Sequence, residues 1–339
     1  MKVLFIGGTG VISSACAQLA VERGLALCLL NRGQTPCRMP SGVEILQGDI
    51  RDKEAIKSIL KNRTFDVVVD WIVFTPDHLE TDLELFRDRT AQYVFISSAS
   101  VYQTPPVLLP VTESTPLCNP YWAYARAKIA CEERLVRAYR EEGFPVTIVR
   151  PSHTYDRTLL PVRGQYTTVA RMRAGKKVIV HGDGTSLWTL THHQDFAKGL
   201  VGLLGNHRAL GEAFHITYDE VLTWNQIFEI VAKAAGAPAR LVHVPSELIA
   251  AFDAEWGASL LGDKAHSMIF DNTKIKRLVP DYAATIPFSR GAEEIMDWFD
   301  ANPAQKVINE KTNQLMEDIL AAYESAWPKS LRINSQAQS

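Results

Sequence analysis

Tyr124 and Lys128 stand four residues apart in the run Tyr121-Trp122-Ala123-Tyr124-Ala125-Arg126-Ala127-Lys128. On a helix, that spacing puts both side chains on one face. An ammonium beside a phenol favours the phenolate and lowers its pKa. A tyrosine so placed can take up and return a proton near neutral pH. The chain has ten tyrosines, and only this one precedes a lysine by four residues. Upstream, an apolar run ends in Ser97-Ser98-Ala99-Ser100-Val101-Tyr102. Ser98 can hydrogen-bond the same substrate oxygen as Tyr124, and Lys128 can also hold a ribose. The plainer alternatives are a core aromatic at a helix start for Tyr124 and loop capping for Ser97 and Ser98.

These residues need elements to hold them. Tyr93–Ser97 reads as a buried strand, and the tyrosine run opens a helix that extends to about Glu142. The serines would then lie at a strand's C-terminal end, where parallel sheets place their ligands. The chain begins with a second signal of the same kind. Val3 to Ile6 runs into Gly7-Gly8-Thr9-Gly10, a helical pattern follows through Val11, Ile12, Ala15 and Leu19, and Leu27 to Leu30 form another apolar run. Strand, glycine turn, helix and strand in that order make a dinucleotide-binding unit. Gly7 and Gly10 allow close approach of a pyrophosphate. Thr9, Val11 and Ile12 line the turn and the first helical turn, whose N–H groups face the phosphates. The third glycine slot holds Ser13, which predicts a small helix displacement without loss of the site.

An acid after the second strand would mark NAD. Asn31-Arg32-Gly33 stands there instead, so nothing repels a 2′-phosphate and Arg32 can pair with one. NADP is therefore expected over NAD, the alternative for Arg32 being a solvated side chain. After a third apolar run, Val43–Leu46, Asp49 and Ile50 can meet the adenine. Asp49 could equally cap a helix over Lys53–Leu60.

Composition sets the frame. The chain has 339 residues, 46% of them hydrophobic, with a net charge of −2. That balance gives no support to nucleic-acid binding. No apolar run reaches membrane-spanning length, and the N-terminus reads as a strand and not as a signal peptide. Five cysteines (16, 28, 37, 118 and 131) lack Cys-x-x-Cys spacing, which suggests reduced thiols in a cytoplasmic protein. Val67–Ile72 and Val146–Arg150 read as further buried strands. Strands alternating with helices predict a doubly wound α/β Rossmann sheet. The texture changes after Arg150-Pro151. The expected division is a dinucleotide-binding domain over 1–155, mainly a substrate-binding lobe over 156–330 with elements returning to the sheet, and a loose tail over 331–339.

Taken together, the chain resembles the extended short-chain dehydrogenase/reductases of the NAD-dependent epimerase/dehydratase family. The resemblance is carried by Gly7-x-x-Gly10, Gly48-Asp49, Ser98-Ala99-Ser100-Val101-Tyr102, Tyr124-x-x-x-Lys128 and Arg150-Pro151-x-x-x-Tyr155. Gly182-Asp183-Gly184 with His192 and Asp195, and Asp271-Asn272-Thr273-Lys274, extend it. It is most similar to the branch holding chloroplast stem-loop RNA-binding proteins and their bacterial relatives. The resemblance implies that Ser98, Tyr124 and Lys128 form a catalytic triad. It implies that Lys128 and Pro151 border the cofactor; Phe74, also expected there, stands where relatives usually end the fourth strand with small residues, so it either narrows the nicotinamide side or turns away. It also implies a C-terminal lobe closing over a sugar, with Ser100, His153, Trp188, Lys264 and His266 on the substrate side. A homodimer is compatible with it, as is an RNA-binding or regulatory member with little chemistry.

Departures from the family pattern narrow the reading. Ala99 and Ser100 stand where the family's dehydratases place two carboxylates, so a sugar 4,6-dehydratase is disfavoured. Trp188 stands where relatives clamp a diphosphate with arginine. An indole there could stack on a sugar, or simply be core. Lys264, His266 and Arg163 could meet an anion or remain solvated. Asp70, within an apolar strand, could be a hydrogen-bonding strut or a functional acid. His192-His193 has no metal-ligand companions in the sequence, so no metal is expected. The expected chemistry is oxidation or reduction of a hydroxyl/ketone centre on a sugar or related polyol with NAD(P).

Overall fold

The computed structural model describes residues 1–34 and 40–328; Cys37 and the expected tail at 331–339 lie outside the described residues. The chain forms two compact units. The first comprises Met1–Asp156, Thr189–Val221 and Ile269–Pro287. The second comprises Arg157–Trp188, Leu222–Met268 and the chain from Phe288 on.

The first unit opens with β1 (Lys2–Ile6), α1 (Val11–Glu22), β2 (Ala26–Asn31), β3 (Glu44–Gln47) and α2 (Lys53–Leu60). It continues with β4 (Phe65–Asp70), α3 (Pro76–Phe86), β5 (Thr90–Ile96), α4 (Ala123–Glu142) and β6 (Val146–Pro151). A seventh strand, Ala213–Ile216, completes one sheet in which the order is Ala213–Ile216, β6, β5, β4, β1, β2, β3. Every pairing is parallel. This is the doubly wound α/β fold expected from the sequence. The order reverses between β1 and β4, which opens a crevice at their C-terminal ends.

Side chains alternate along each strand, and the continuous apolar runs are thereby divided between two faces. Val3, Phe5, Leu27, Leu29, Val67 and Val69 pack with Cys16 and Ala20 of α1 and Phe196 and Leu200 of helix His193–Leu203. Leu4, Ile6, Cys28, Leu30, Val68 and Phe95 pack with Ile56, Leu79, Leu83 and Leu135 on the other face. Each large apolar side chain so buried contributes roughly 1.5–3 kcal/mol.

Local chemistry sets the element ends. Gly7 and Gly8 have φ of +94° and +90°, and a Cβ on Gly8 would come within 2.8 Å of Leu29. Ser13 Oγ accepts the Gly10 N–H at 2.8 Å and donates to the Gly10 carbonyl at 3.3 Å, closing the first turn of α1. α2 is capped by Asp52, whose carboxylate accepts the Ala55 N–H, and not by Asp49. Asp49 instead accepts the Arg51 N–H at 3.0 Å. β4 ends at Asp70, short of the expected Ile72. The Asp70 carboxylate accepts the Ile72 and Val73 amides at 2.5 and 2.9 Å and draws the chain off the strand.

In the second unit, Val178–His181 pairs in parallel with Leu241–Val244, and Leu187–Trp188 pairs antiparallel with Leu222–Thr223. Thr223 and Gln226 make the capping box that their spacing predicts at the start of helix Trp224–Ala234. Helix Glu310–Ser325 buries Met316, Ile319 and Leu320 against Ile179, Val244, Ile249 and Trp256. Among the described residues, no helix is long and apolar enough to cross a membrane. Cys16, Cys28 and Cys131 are buried free thiols, while Cys118 is exposed.

Candidate active site

α4 carries Tyr124 and Lys128 on one face, and Lys128 is drawn into the interior at 2% exposure. Its ammonium donates to the carbonyls of Val73 and Ile96 at 2.5 and 2.7 Å. These carbonyls lie just beyond β4 and at the end of β5. The rings of Phe74 and Phe95 each lie 4.9 Å from Nζ, and the Tyr124 ring lies at 5.9 Å. Burial lowers the Lys128 pKa to about 8, because a charged amine is poorly solvated there. The lysine is thus fixed beneath the phenol by backbone, not by a carboxylate.

Ser98 follows β5. Its Oγ accepts the Ser100 N–H at 3.2 Å and lies 2.9 Å from Ser100 Oγ. The capping role considered for Ser98 is therefore present, and the residue is half-buried. Ser100, expected on the substrate side, is buried, and its hydroxyl lies against that of Ser98. Asn119 joins the two halves of the site. It donates to the Ser100 carbonyl at 2.8 Å and accepts the Tyr121 and Trp122 N–H groups at 3.2 and 3.1 Å. The Asn119-Pro120 dipeptide ahead of the tyrosine run was the available signal for it. Ser97 points away from this group, to Glu132 Oε1 at 2.5 Å. Glu132 in turn grips Arg150, which stacks over Tyr102 at 4.8 Å.

The glycine turn and β2 border a pocket of about 380 Å³. Of the residues expected at a cofactor, Gly7, Thr9, Asn31, Arg32, Asp49, Ile50 and Phe74 line it. Gly10, Val11, Ile12, Lys128 and Pro151 stand outside this pocket. Arg51 and His78 line it without having been expected. Arg51 follows Gly48-Asp49-Ile50 directly and reaches the Ile72 carbonyl at 2.5 Å. His78 lies on α3 and had no local signal. Phe74 is 45% exposed, so its ring forms a wall of the pocket. A dinucleotide fits these residues: Gly7 and Gly8 hold the left-handed backbone that the turn needs, and Arg32 and Arg51 supply cations for phosphate.

On the expected substrate side, His153 is half-buried in a short strand paired with Leu190–His192. Trp188 is 2% exposed and packs on Trp224 at 6.1 Å. Of the two readings open for Trp188, a stacking surface or a core residue, its burial against Trp224 favours the core. Lys264 donates to Asp263 at 3.1 Å, and His266 is half-buried in the same segment. Arg163 pairs with Asp253 at 2.6 Å and lies over the Trp256 ring. Among the described residues, no group of three or more His, Cys, Asp and Glu side chains could hold a metal.

The chain is 27% identical to a 2′-dehydrokanamycin reductase of Streptomyces kanamyceticus, over 83% of this chain and 80% of that one. It is 28% identical to the chloroplast stem-loop binding protein of 41 kDa b of Arabidopsis thaliana, over 71% of this chain and 65% of that one, just under two thirds of its length. Among solved structures, it resembles a UDP-glucose 4-epimerase from Bifidobacterium longum in complex with NAD+ and UDP, with a TM-score of 0.73. That pair is 18% identical over 90% of this chain and 100% of that one, a likeness of fold. The family model described as "NAD dependent epimerase/dehydratase family" matches residues 3–217, which include the glycine turn, Ser98, Tyr124 and Lys128. The chain belongs to the NAD-dependent epimerase/dehydratase family, an oxidoreductase fold of the extended short-chain dehydrogenase/reductase kind.

Proposed function

We propose that this protein interconverts a hydroxyl and a ketone on a sugar or related polyol, as an epimerase or reductase rather than a 4,6-dehydratase, and that it favours NADP. One observation carries the reading. The Lys128 ammonium is held by the Val73 and Ile96 carbonyls, with the Tyr124 ring 5.9 Å away and Ser98 following the same β5. A nicotinamide dinucleotide, when bound, supplies a hydride acceptor in one direction and a hydride donor in the other. In the oxidising direction, Tyr124 takes the proton of the substrate hydroxyl while Ser98 hydrogen-bonds the same oxygen. In the reducing direction, Tyr124 returns it. Lys128 keeps the phenolate favourable. Residues 99 and 100 are alanine and serine, so no carboxyl pair stands there to remove water. Arg32 and Arg51 would hold a 2′-phosphate and the neighbouring phosphates.

One relative is named for dehydrokanamycin, which favours a compact substrate, while others are named for UDP- and dTDP-linked sugars, so those nucleotides belong in the same panel. The experiment is a panel of sugars, sugar phosphates and these nucleotide-linked sugars with NAD or NADP supplied separately. Reduced nicotinamide is followed by absorbance, and epimers by NMR. Turnover on a compact sugar supports the reading. No turnover on any of them, together with tight RNA stem-loop binding at physiological salt, would overturn it in favour of an RNA-binding protein on this fold.

A further inference from the structure

Two aspartates are sealed inside the first unit, and the proposed chemistry does not use them. Asp70 ends β4 and Asp82 lies within α3; both are 0% exposed. Asp70 Oδ1 accepts the amides of Ile72 and Val73. Asp82 Oδ2 accepts the Tyr93 hydroxyl at 2.5 Å. The remaining oxygens, Asp70 Oδ2 and Asp82 Oδ1, have no donor. The two carboxyl groups lie within hydrogen-bonding reach of each other. Two ionised carboxylates do not persist side by side in a dry interior. One proton between them satisfies both orphaned oxygens and leaves a single negative charge.

We propose that Asp70 and Asp82 share one proton, and that the pair is a positioning device for Lys128. The amides of Ile72 and Val73 are held by Asp70, and the carbonyls of the same two residues accept Arg51 and Lys128, each at 2.5 Å. The lysine therefore hangs on a turn that Asp70 shapes. Asp82 and Tyr93 fix the orientation of Asp70 from behind. The charge left on the pair also favours a protonated Lys128, against the burial that disfavours it. The other titratable groups facing the pair are Arg51, His78, Tyr93 and Lys128, with Cys131 acting on Tyr93 and Lys128. The positioning role rests on the function proposed for Lys128; the shared proton does not.

Burial raises both carboxyls, Asp82 well above the usual range. A carboxyl raised on folding binds more protons folded than unfolded. Its stabilisation is full below the ordinary carboxylate pKa and is lost as pH rises through the folded value.

The test uses the full chain. Infrared spectra at neutral pH should show the carbonyl band of a protonated, buried carboxylic acid, and Asp82→Asn should abolish it. Asp82→Asn and Asp70→Asn should each fold, because an amide N–H replaces the shared proton. Asp82→Asn should also flatten the loss of stability as pH rises above the ordinary carboxylate range. The Lys128 side-chain NMR titration, assigned with Lys128→Met, should move down by about one pH unit in the Asp70→Asn/Asp82→Asn double variant, and little in either single variant. Absence of the band in wild type overturns the shared proton, whether or not any variant folds. An unmoved Lys128 titration in the double variant overturns the positioning role. If the band is present but Tyr124→Phe costs no turnover, the catalytic reading of Lys128 fails and the shared proton stands.

Discussion

Ser97 Oγ donates to Glu132 Oε1 at 2.5 Å, so the residue before Ser98 is fastened to the helix that carries Tyr124 and Lys128. Tyr124, Lys128 and Glu132 follow one another at four-residue intervals along α4. Glu132 also binds Arg150 through both carboxylate oxygens, at 3.0 and 2.5 Å. One buried carboxylate thus sets β5, β6 and α4 in register with each other. Glu132→Ala leaves Arg150 charged and unpaired in the interior. It should lower stability by about 3–5 kcal/mol in denaturant titration. A loss under about 1 kcal/mol would show that water or another acid replaces it.

Tyr124→Phe removes only the hydroxyl. Turnover on a substrate found in the sugar panel should fall about 10²-fold or more, the scale of a lost general acid or base. Binding of reduced cofactor, followed by fluorescence, should be preserved. Near-normal turnover would move the proton-transfer role to another group.

Arg32 is exposed at the pocket rim, with Asn31 and no acid beside it. Arg32→Ala should weaken NADP by about 10- to 100-fold, corresponding to roughly 1.5–3 kcal/mol for a charge-assisted contact, and leave NAD little changed. Calorimetric titration of both cofactors decides it. Equal losses, or a wild type that prefers NAD, would exclude Arg32 as the 2′-phosphate residue.

Lys128 has a folded pKa of about 8 against an ordinary 10.5. Between those values the unfolded chain binds the extra proton, so stability rises with pH over that window. Below about pH 8 the full penalty of burying the charge applies. Lys128→Met should therefore exceed wild type in stability most clearly below pH 8, with the gap closing towards pH 10.5. A gap that stays constant from pH 7 to 10 would show that Lys128 is not held as a buried cation.

Trp188 is core, so restoring the family's arginine there does not rebuild a diphosphate clamp. Trp188→Ala should lose about 3–5 kcal/mol of stability. Trp188→Arg should be destabilised at least as much, with no gain in affinity for UDP-sugars in a thermal-shift assay. A folded Trp188→Arg that binds them more tightly would reopen the site.

The parts of this site legible in the sequence are those set by short-range spacing. The glycine turn shows because only certain residues allow that backbone, and Tyr124 and Lys128 show because one helical turn joins them. What could not be read depends on partners distant in the chain. Asp70 appears in the sequence as a lone acid among valines. Its meaning comes from Asp82 on α3 and Tyr93 on β5. Trp188 stands at a position where the family resemblance implies ligand contact, yet its packing partner is Trp224, thirty-six residues later. Arg51 had a local cue after Asp49-Ile50, but its reach across to the Ile72 carbonyl is a fact of sheet order.

Ser13 at the third glycine slot has a thermodynamic consequence. Its hydroxyl ties both polar groups of Gly10, so the phosphate turn is held by the chain itself before any ligand arrives. The conformational entropy of ordering that turn is then lost during folding and not during association. Binding a pyrophosphate meets a preorganised cradle. It also meets one fewer N–H, since the Gly10 amide is already engaged. The departure from glycine thus exchanges one free donor for a turn already fixed by the chain.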